Sequence, residues 1–297
     1  MSPQTTWPIP GAPCRRRALL LAVAAMLGAL ALGAGATPAL TVDVHAHRGG
    51  AGLAPENTLA AFRGALALGV DYLEMDLHAS ADGEIVVIHD ATLQRTTNGR
   101  GYVRQTPLSE LKRLDAGAWF HSRFAGERIP TLREVLELVV ASGDGRVRLN
   151  LETKYDASAP PPGDFEERIL QLVREARMSD RVIIQSFHYP SLGRVKILSP
   201  AVPTAVLRRA SHIAPDAVAV VRQTGATLYS PNFRLIGAEV IDALHRAGIP
   251  VVPWTVNDPA EMERLLDAGI GKLPGDGIIT DYPDRLIGVL RARGLRR

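Results

Sequence analysis

Glu74 and Asp76 lie two residues apart in YLEMDL. On a strand both carboxylates leave one face, while Leu73, Met75 and Leu77 leave the other. Two carboxylates so placed repel each other, and a cation would relieve the repulsion. His47 closes the apolar alternation VDVHAH and His89 closes IVVIH, so both imidazoles are expected at strand ends, where they could move protons. His45 shares the face of His47 and competes with it for that role. Further along, RLNLETK alternates Leu149 and Leu151 with Asn150, Glu152 and Lys154, which places the last three on one face. Arg48, beside His47, can offer a bidentate fork to a phosphoryl oxygen or tie down a loop.

These residues need a scaffold, and the rest of the chain reads as one. Strand-like runs at 42–47, 72–77, 147–152, 182–186, 204–207, 227–230, 251–256 and 277–280 alternate with helical patterns. Leu59, Phe62, Leu66 and the stop at Gly69 mark one helix. Asp164 with Glu167 starts another that carries Ile169, Leu172, Val173 and Ala176, and Asp258, Pro259 and Glu261 open a third that ends at Gly269. Eight strands in this alternation predict an α/β fold of the (β/α)8 TIM-barrel type, with its active site at the C-terminal strand ends. The run 85–89 follows too soon for a crossover helix, and Asp82-Gly83 is a turn signal. It is therefore read as the return arm of a hairpin that brings His89 back beside Asp76. Residues 92–128 break the alternation and read as an insertion over the barrel mouth.

Five short motifs in order, His47-Arg48-Gly49, Pro55-Glu56-Asn57-Thr58, Glu74-Met75-Asp76, Asp82-Gly83 and His89-Asp90, resemble the glycerophosphodiester phosphodiesterase family. Trp254-Thr255-Val256-Asn257 and Ile279-Thr280-Asp281-Tyr282-Pro283 match its late motifs, so the resemblance runs from about residue 43 to 285. One departure is Ala79-Ser80-Ala81, where the family usually carries Thr before the Asp-Gly turn; Ser80 still supplies a hydroxyl. The resemblance implies a phospholipase C-like TIM barrel that hydrolyses glycerophosphodiesters to sn-glycerol 3-phosphate and an alcohol. It implies that Glu74, Asp76 and Glu152 hold one divalent cation, and an all-oxygen set without thiolate suits Ca²⁺ or Mg²⁺. By the same resemblance, Arg48 and Lys154 face the phosphate, His47 and His89 share the proton transfers, and the glycerol 2-hydroxyl attacks first to form a cyclic phosphate. Trp254 could pack on the carbon face of glycerol or simply fill core, and Gln185, Ser186 and Phe187 are expected to line the pocket. Asp281 is expected to fix its loop or orient a neighbour. A competing enzyme reading is a lysophospholipase D or sphingomyelinase D type, for which Trp119, Phe120 and Phe124 would form an apolar rim. A competing non-enzyme reading is a phosphodiester-binding protein.

The first 36 residues differ from the rest. Arg15, Arg16 and Arg17 precede an apolar run that ends in Ala34-Gly35-Ala36, the pattern of a secretory signal peptide, with the catalytic domain expected over 37–297. The expected location is periplasmic or secreted, with twin-arginine export possible and no stable membrane insertion once the leader is cleaved. An uncleaved anchor is the alternative. Cys14 lies in the leader, so the mature chain has no thiol to oxidise. Of the 34 Lys and Arg, the leader holds three, which leaves 31 against 31 Asp and Glu. With no net positive charge and no basic run, nucleic acid is a poor candidate partner.

Overall fold

Strand alternation sets the layers of this protein. The computed structural model describes residues 42–211 and 216–296, so the leader expected over 1–36 lies outside the described residues. The strands are β1 (Asp43–Ala46), β2 (Tyr72–Ala79), β3 (Ile85–Val87), β4 (Arg148–Thr153), β5 (Val182–Ser186), β6 (Thr204–Arg208), β7 (Leu228–Pro231) and β8 (Gly277–Thr280). Around them lie α1 (Leu59–Leu68), α2 (Leu108–Leu111), α3 (Leu132–Ala141), α4 (Phe165–Glu175), α5 (Tyr189–Leu198), α6 (Ala217–Thr224), α7 (Ala238–Arg246), α8 (Pro259–Ala268) and α9 (Pro283–Ala292). The sheet runs β7-β6-β5-β4-β2-β1-β8 with parallel neighbours, and β3 lies antiparallel on β2. This mixed α/β arrangement is TIM-barrel-like. No helix among the described residues is long and apolar enough to cross a membrane.

The large core lies between sheet and helices, where Leu73, Met75 and Leu77 of β2 meet Leu149 and Leu151 of β4, Phe62 of α1 and Phe165 of α4. The opposite face of the sheet carries Tyr72, Ile183, Ala205, Leu228 and Ile279, which with Val252 make a smaller apolar layer with Trp254 packed against it. Polar strand residues stand among them, so the inner space is part apolar floor and part chemistry.

One predicted strand is not a regular ladder. Residues 251–256 nevertheless bond on both sides: Val252 N–H donates to Tyr229 O at 2.9 Å and Trp254 N–H to Pro231 O at 3.0 Å, while Gly277 N–H donates to Val251 O at 3.2 Å and Ile279 N–H to Pro253 O at 3.0 Å. Pro250 and Pro253 bring no N–H to this stretch, which breaks the ladder without moving the chain away. Both predicted helix starts stand at the N-cap of their helices, but only one makes the cap bond. Asp258 caps α8 by accepting from Ala260 N–H at 2.9 Å, but Asp164 makes no cap bond and pairs with Arg168 instead, at 2.7 Å. The expected hairpin is present, with Leu77 opposite Val87 and Ile88 N–H donating to Asp76 O at 3.0 Å. Residues beyond it fold around a small cluster of their own, Val86, Ile88, Leu93, Val103, Leu111, Ala116 and Ile129.

Candidate active site

Register between β2 and β4 assembles the acidic group. Asp76 stands opposite Glu152 and Glu74 opposite Asn150, all on the inner face. One oxygen from each of Glu74, Asp76 and Glu152 lies within 4.8 Å of the others, and all three residues are buried. Burial, with the Asp76 carboxylate next door, pushes Glu74 up to about 8. Burial also raises Glu152, against the pull of Lys154. Burial would raise Asp76 too, but Lys154 and Arg48 outweigh it and hold the carboxyl well below its usual range. Three buried hard oxygens whose charges strain against one another fit a divalent cation.

The cations of the site press on this group. Lys154 Nζ lies 2.5 Å from Glu152 Oε1 and 3.0 Å from Asp76 Oδ1. Arg48 takes a left-handed backbone (φ 52°) that aims its N–H at Glu74 Oε2, 2.8 Å away, while its guanidinium donates to Glu56 Oε1 at 2.7 Å. Gly49, at φ 83°, has no room for a side chain: a Cβ would stand 2.8 Å from that of Ala61. Asn57, also left-handed at φ 59°, donates from Nδ2 to Asp76 Oδ2 at 2.8 Å, and the neighbouring Thr58 caps α1. From below, Gln185 Nε2 donates to Glu74 Oε1 at 3.0 Å and its Oε1 accepts from Asn150 at 3.1 Å.

Each candidate histidine is tied through Nδ1 to a carboxylate. His47 donates to Asp281 Oδ1 at 2.6 Å, and Asp281 Oδ2 accepts from Asn257 Nδ2 at 2.6 Å. His89 donates to Asp90 Oδ1 at 2.6 Å. Burial lowers the His47 pKa, but Glu74 and the bond to Asp281 outweigh it and the net shift is upward. Burial dominates at His89, and its shift is downward. With Nδ1 occupied in both rings, Nε2 is the atom left to exchange protons.

One cavity of about 610 Å³ is lined by His47, Arg48, Glu74, His89, Glu152 and Lys154, which puts these predicted residues together. Trp254 and Phe187 line it as well, edge to face with ring centroids 5.5 Å apart, and the indole N–H donates to Ser230 O at 2.8 Å. His45 is elsewhere: it lies buried, stacked on Tyr72 at 4.0 Å, and does not line the cavity. Trp119, Phe120 and Phe124 form an edge-to-face cluster of their own and none lines the cavity. Sequence reasoning passed over the particular parts of Asn57 and Asn257. The signal for both was a short amide beside a motif carboxylate, visible only once the fold is known.

Comparison with known proteins follows the same residues. Residues 47–285 match the Glycerophosphoryl diester phosphodiesterase family. The chain is 41% identical over 251 residues to a glycerophosphodiester phosphodiesterase of Caldanaerobacter subterraneus subsp. tengcongensis, across 84% of this chain and 98% of that protein. Among solved structures it is similar to an Oleispira antarctica phosphodiesterase in complex with the product sn-glycerol-3-phosphate, with TM-score 0.74 and 31% identity over 84% of this chain and 97% of that one. A glycerophosphodiester phosphodiesterase of Agrobacterium tumefaciens gives TM-score 0.70 and 31% identity over 83% and 99% of the two chains. The motifs that line the cavity fall inside the matched stretch, and the match spans most of the sequence. This chain belongs to the glycerophosphoryl diester phosphodiesterase family.

Proposed function

We propose that this enzyme hydrolyses small glycerophosphodiesters to sn-glycerol 3-phosphate and an alcohol. The observation that carries the reading is that two carboxylate-tethered histidines line one cavity with Glu74 and Glu152, and that buried Asp76 completes the acidic cluster behind them. Glu74, Asp76 and Glu152 hold one divalent cation, Ca²⁺ or Mg²⁺, which when bound supplies positive charge to the phosphoryl oxygens. Arg48 and Lys154 add donors on the same side, and their present partners, Glu56 and the acidic cluster, keep them aimed into the cavity. The glycerol 2-hydroxyl attacks phosphorus as one histidine Nε2 takes its proton, and the other histidine protonates the departing alcohol. Water then opens the resulting cyclic phosphate, with the two rings exchanging roles. Trp254 packs against the carbon face of the substrate.

The product complex of the Oleispira relative, in which sn-glycerol-3-phosphate is bound, supports this choice of substrate. The position of Trp119, Phe120 and Phe124 outside the cavity favours a water-soluble diester over a lysophospholipid. Bonds from residues 251–256 to both β7 and β8 support a fully closed (β/α)8 barrel, and the separate apolar cluster around Leu93, Val103 and Leu111 supports residues 92–128 as its insertion. Arg15 to Arg17 and the apolar run after them support export to the periplasm or beyond. The test is incubation with glycerophosphocholine, with and without a chelator. Release of choline and glycerol 3-phosphate that stops on chelation is expected. A protein that binds the diester but releases no choline would be a binding protein instead.

A further inference from the structure

Arg95 takes no part in the chemistry above and does not line the cavity, yet it makes four hydrogen bonds to two carboxylates beside it. Its Nε donates to Asp90 Oδ2 at 2.7 Å and its Nη2 to Asp90 Oδ1 at 3.0 Å. Its Nη1 donates to Glu56 Oε2 at 2.8 Å and its Nη2 to Glu56 Oε1 at 2.8 Å. Those carboxylates are themselves engaged on the site: Asp90 Oδ1 accepts from His89 Nδ1 at 2.6 Å, and Glu56 Oε1 accepts from Arg48 Nη1 at 2.7 Å. One planar guanidinium thus stands between the partner of a proton-moving histidine and the partner of a phosphate-facing arginine.

We propose that Arg95 is a positioning residue, a clamp that joins Asp90 to Glu56 and thereby holds His89 and Arg48 in register across the cavity. The proposal rests on the reading of His89 as a proton-transfer group. Asp90 is the neighbour of His89 in sequence and is partly exposed, so a carboxylate left alone there could turn either oxygen, or both, to water. Two bonds from one rigid fork fix the plane of that carboxylate and leave Oδ1 facing the imidazole. The second edge of the guanidinium does the same for Glu56. A lysine could not do both, because an ammonium is a point charge without the planar fork.

The backbone around Arg95 is built to carry it. Leu93 is buried in the small cluster beyond the hairpin, Thr96 and Thr97 are buried on the other side, and Thr97 Oγ1 donates to Leu93 O at 2.6 Å. Leu93 N–H donates in turn to Gly101 O at 3.0 Å. The clamp therefore springs from a folded support rather than from a loose loop. This gives residues 92–128 a part in catalysis that does not require them to touch substrate.

The experiment uses the full enzyme, assayed with glycerophosphocholine, and compares Arg95→Ala, Arg95→Lys and His89→Ala. Arg95→Ala is expected to lower kcat roughly tenfold or more while Ca²⁺ affinity, measured by calorimetry, stays within about threefold. Guanidinium ion added to Arg95→Ala should restore much of the lost turnover, and should do nothing for His89→Ala. Arg95→Lys, which keeps the charge and guards against a folding defect in the alanine variant, should remain well below the parent. Near-parental kcat in Arg95→Ala, a loss that guanidinium does not touch, or full activity in Arg95→Lys would each overturn the clamp. If His89→Ala itself keeps parental turnover, the failure lies with the proposed chemistry and not with Arg95 alone.

Discussion

Divalent-cation binding is expected to depend steeply on pH, with Glu74 setting the slope. In the free protein, burial and the adjacent Asp76 push Glu74 up to about 8, so near pH 6 it holds a proton. That proton must leave before the carboxylate can ligate a hard ion. Below the raised pKa, apparent affinity should weaken roughly tenfold for each pH unit, or about 1.4 kcal/mol. Between pH 8 and pH 6 the loss is roughly 50-fold, and above about pH 9 the curve should flatten. Calorimetric titration with Ca²⁺ or Mg²⁺ in pairs of buffers with different ionisation heats reads both the affinity and the protons released. Nearly one proton per ion is expected at the acid end and almost none at the alkaline end. Glu74→Gln should bind more weakly throughout and lose most of the slope. A flat affinity across this range, or an unchanged slope in Glu74→Gln, would refute the reasoning.

Three further outcomes are expected. His47→Ala and His89→Ala should each lower kcat by about 100-fold or more while keeping metal affinity, as steady-state kinetics and calorimetry would show. A 2-deoxyglycerol analogue of glycerophosphocholine should bind yet hardly turn over, because the internal nucleophile is missing and with it a proximity gain of up to roughly 7–11 kcal/mol; turnover at the parental rate would point to direct attack by water. His45, lowered by burial from 6.5 to about 3, stays neutral when folded, so its contribution to stability is intact at pH 7 and is lost as pH falls below 6.5. The loss at pH 5 is about 2 kcal/mol, and urea melts of His45→Gln should show that much less acid sensitivity than the parent.

The acidic cluster was legible because period-2 alternation in YLEMDL and RLNLET fixes which side chains share a face. Register then placed Asp76 against Glu152, which alternation alone does not state. The hairpin was readable from Asp82-Gly83 and the short spacing. Residues 251–256 were readable as a run along the sheet, but the two prolines that spoil the ladder made the regular strand a misreading. Asp164 with Glu167 looked like a helix cap, yet Arg168 one turn on competed for the same carboxylate and won it. Arg95 left no mark at all. It meets Glu56 across 39 residues of chain, and a polar residue in an aperiodic stretch has no pattern to betray its partner.

The bond between His47 and Asp281 spans 234 residues. It sits at the end of the pairing of β1 with β8, the first and last strands among the described residues. Closing such a loop costs entropy that grows with the logarithm of its length, and that cost is met before the contact contributes anything. Most of the sheet can be paired, and Glu74, Asp76 and Glu152 gathered on their neighbouring strands, while His47 still has no carboxylate to orient it. A folding chain would then collect its acidic cage first and its tethered histidine last. On the proposed chemistry, catalytic competence would then require this seam to be closed, and not only the acidic cage to be assembled.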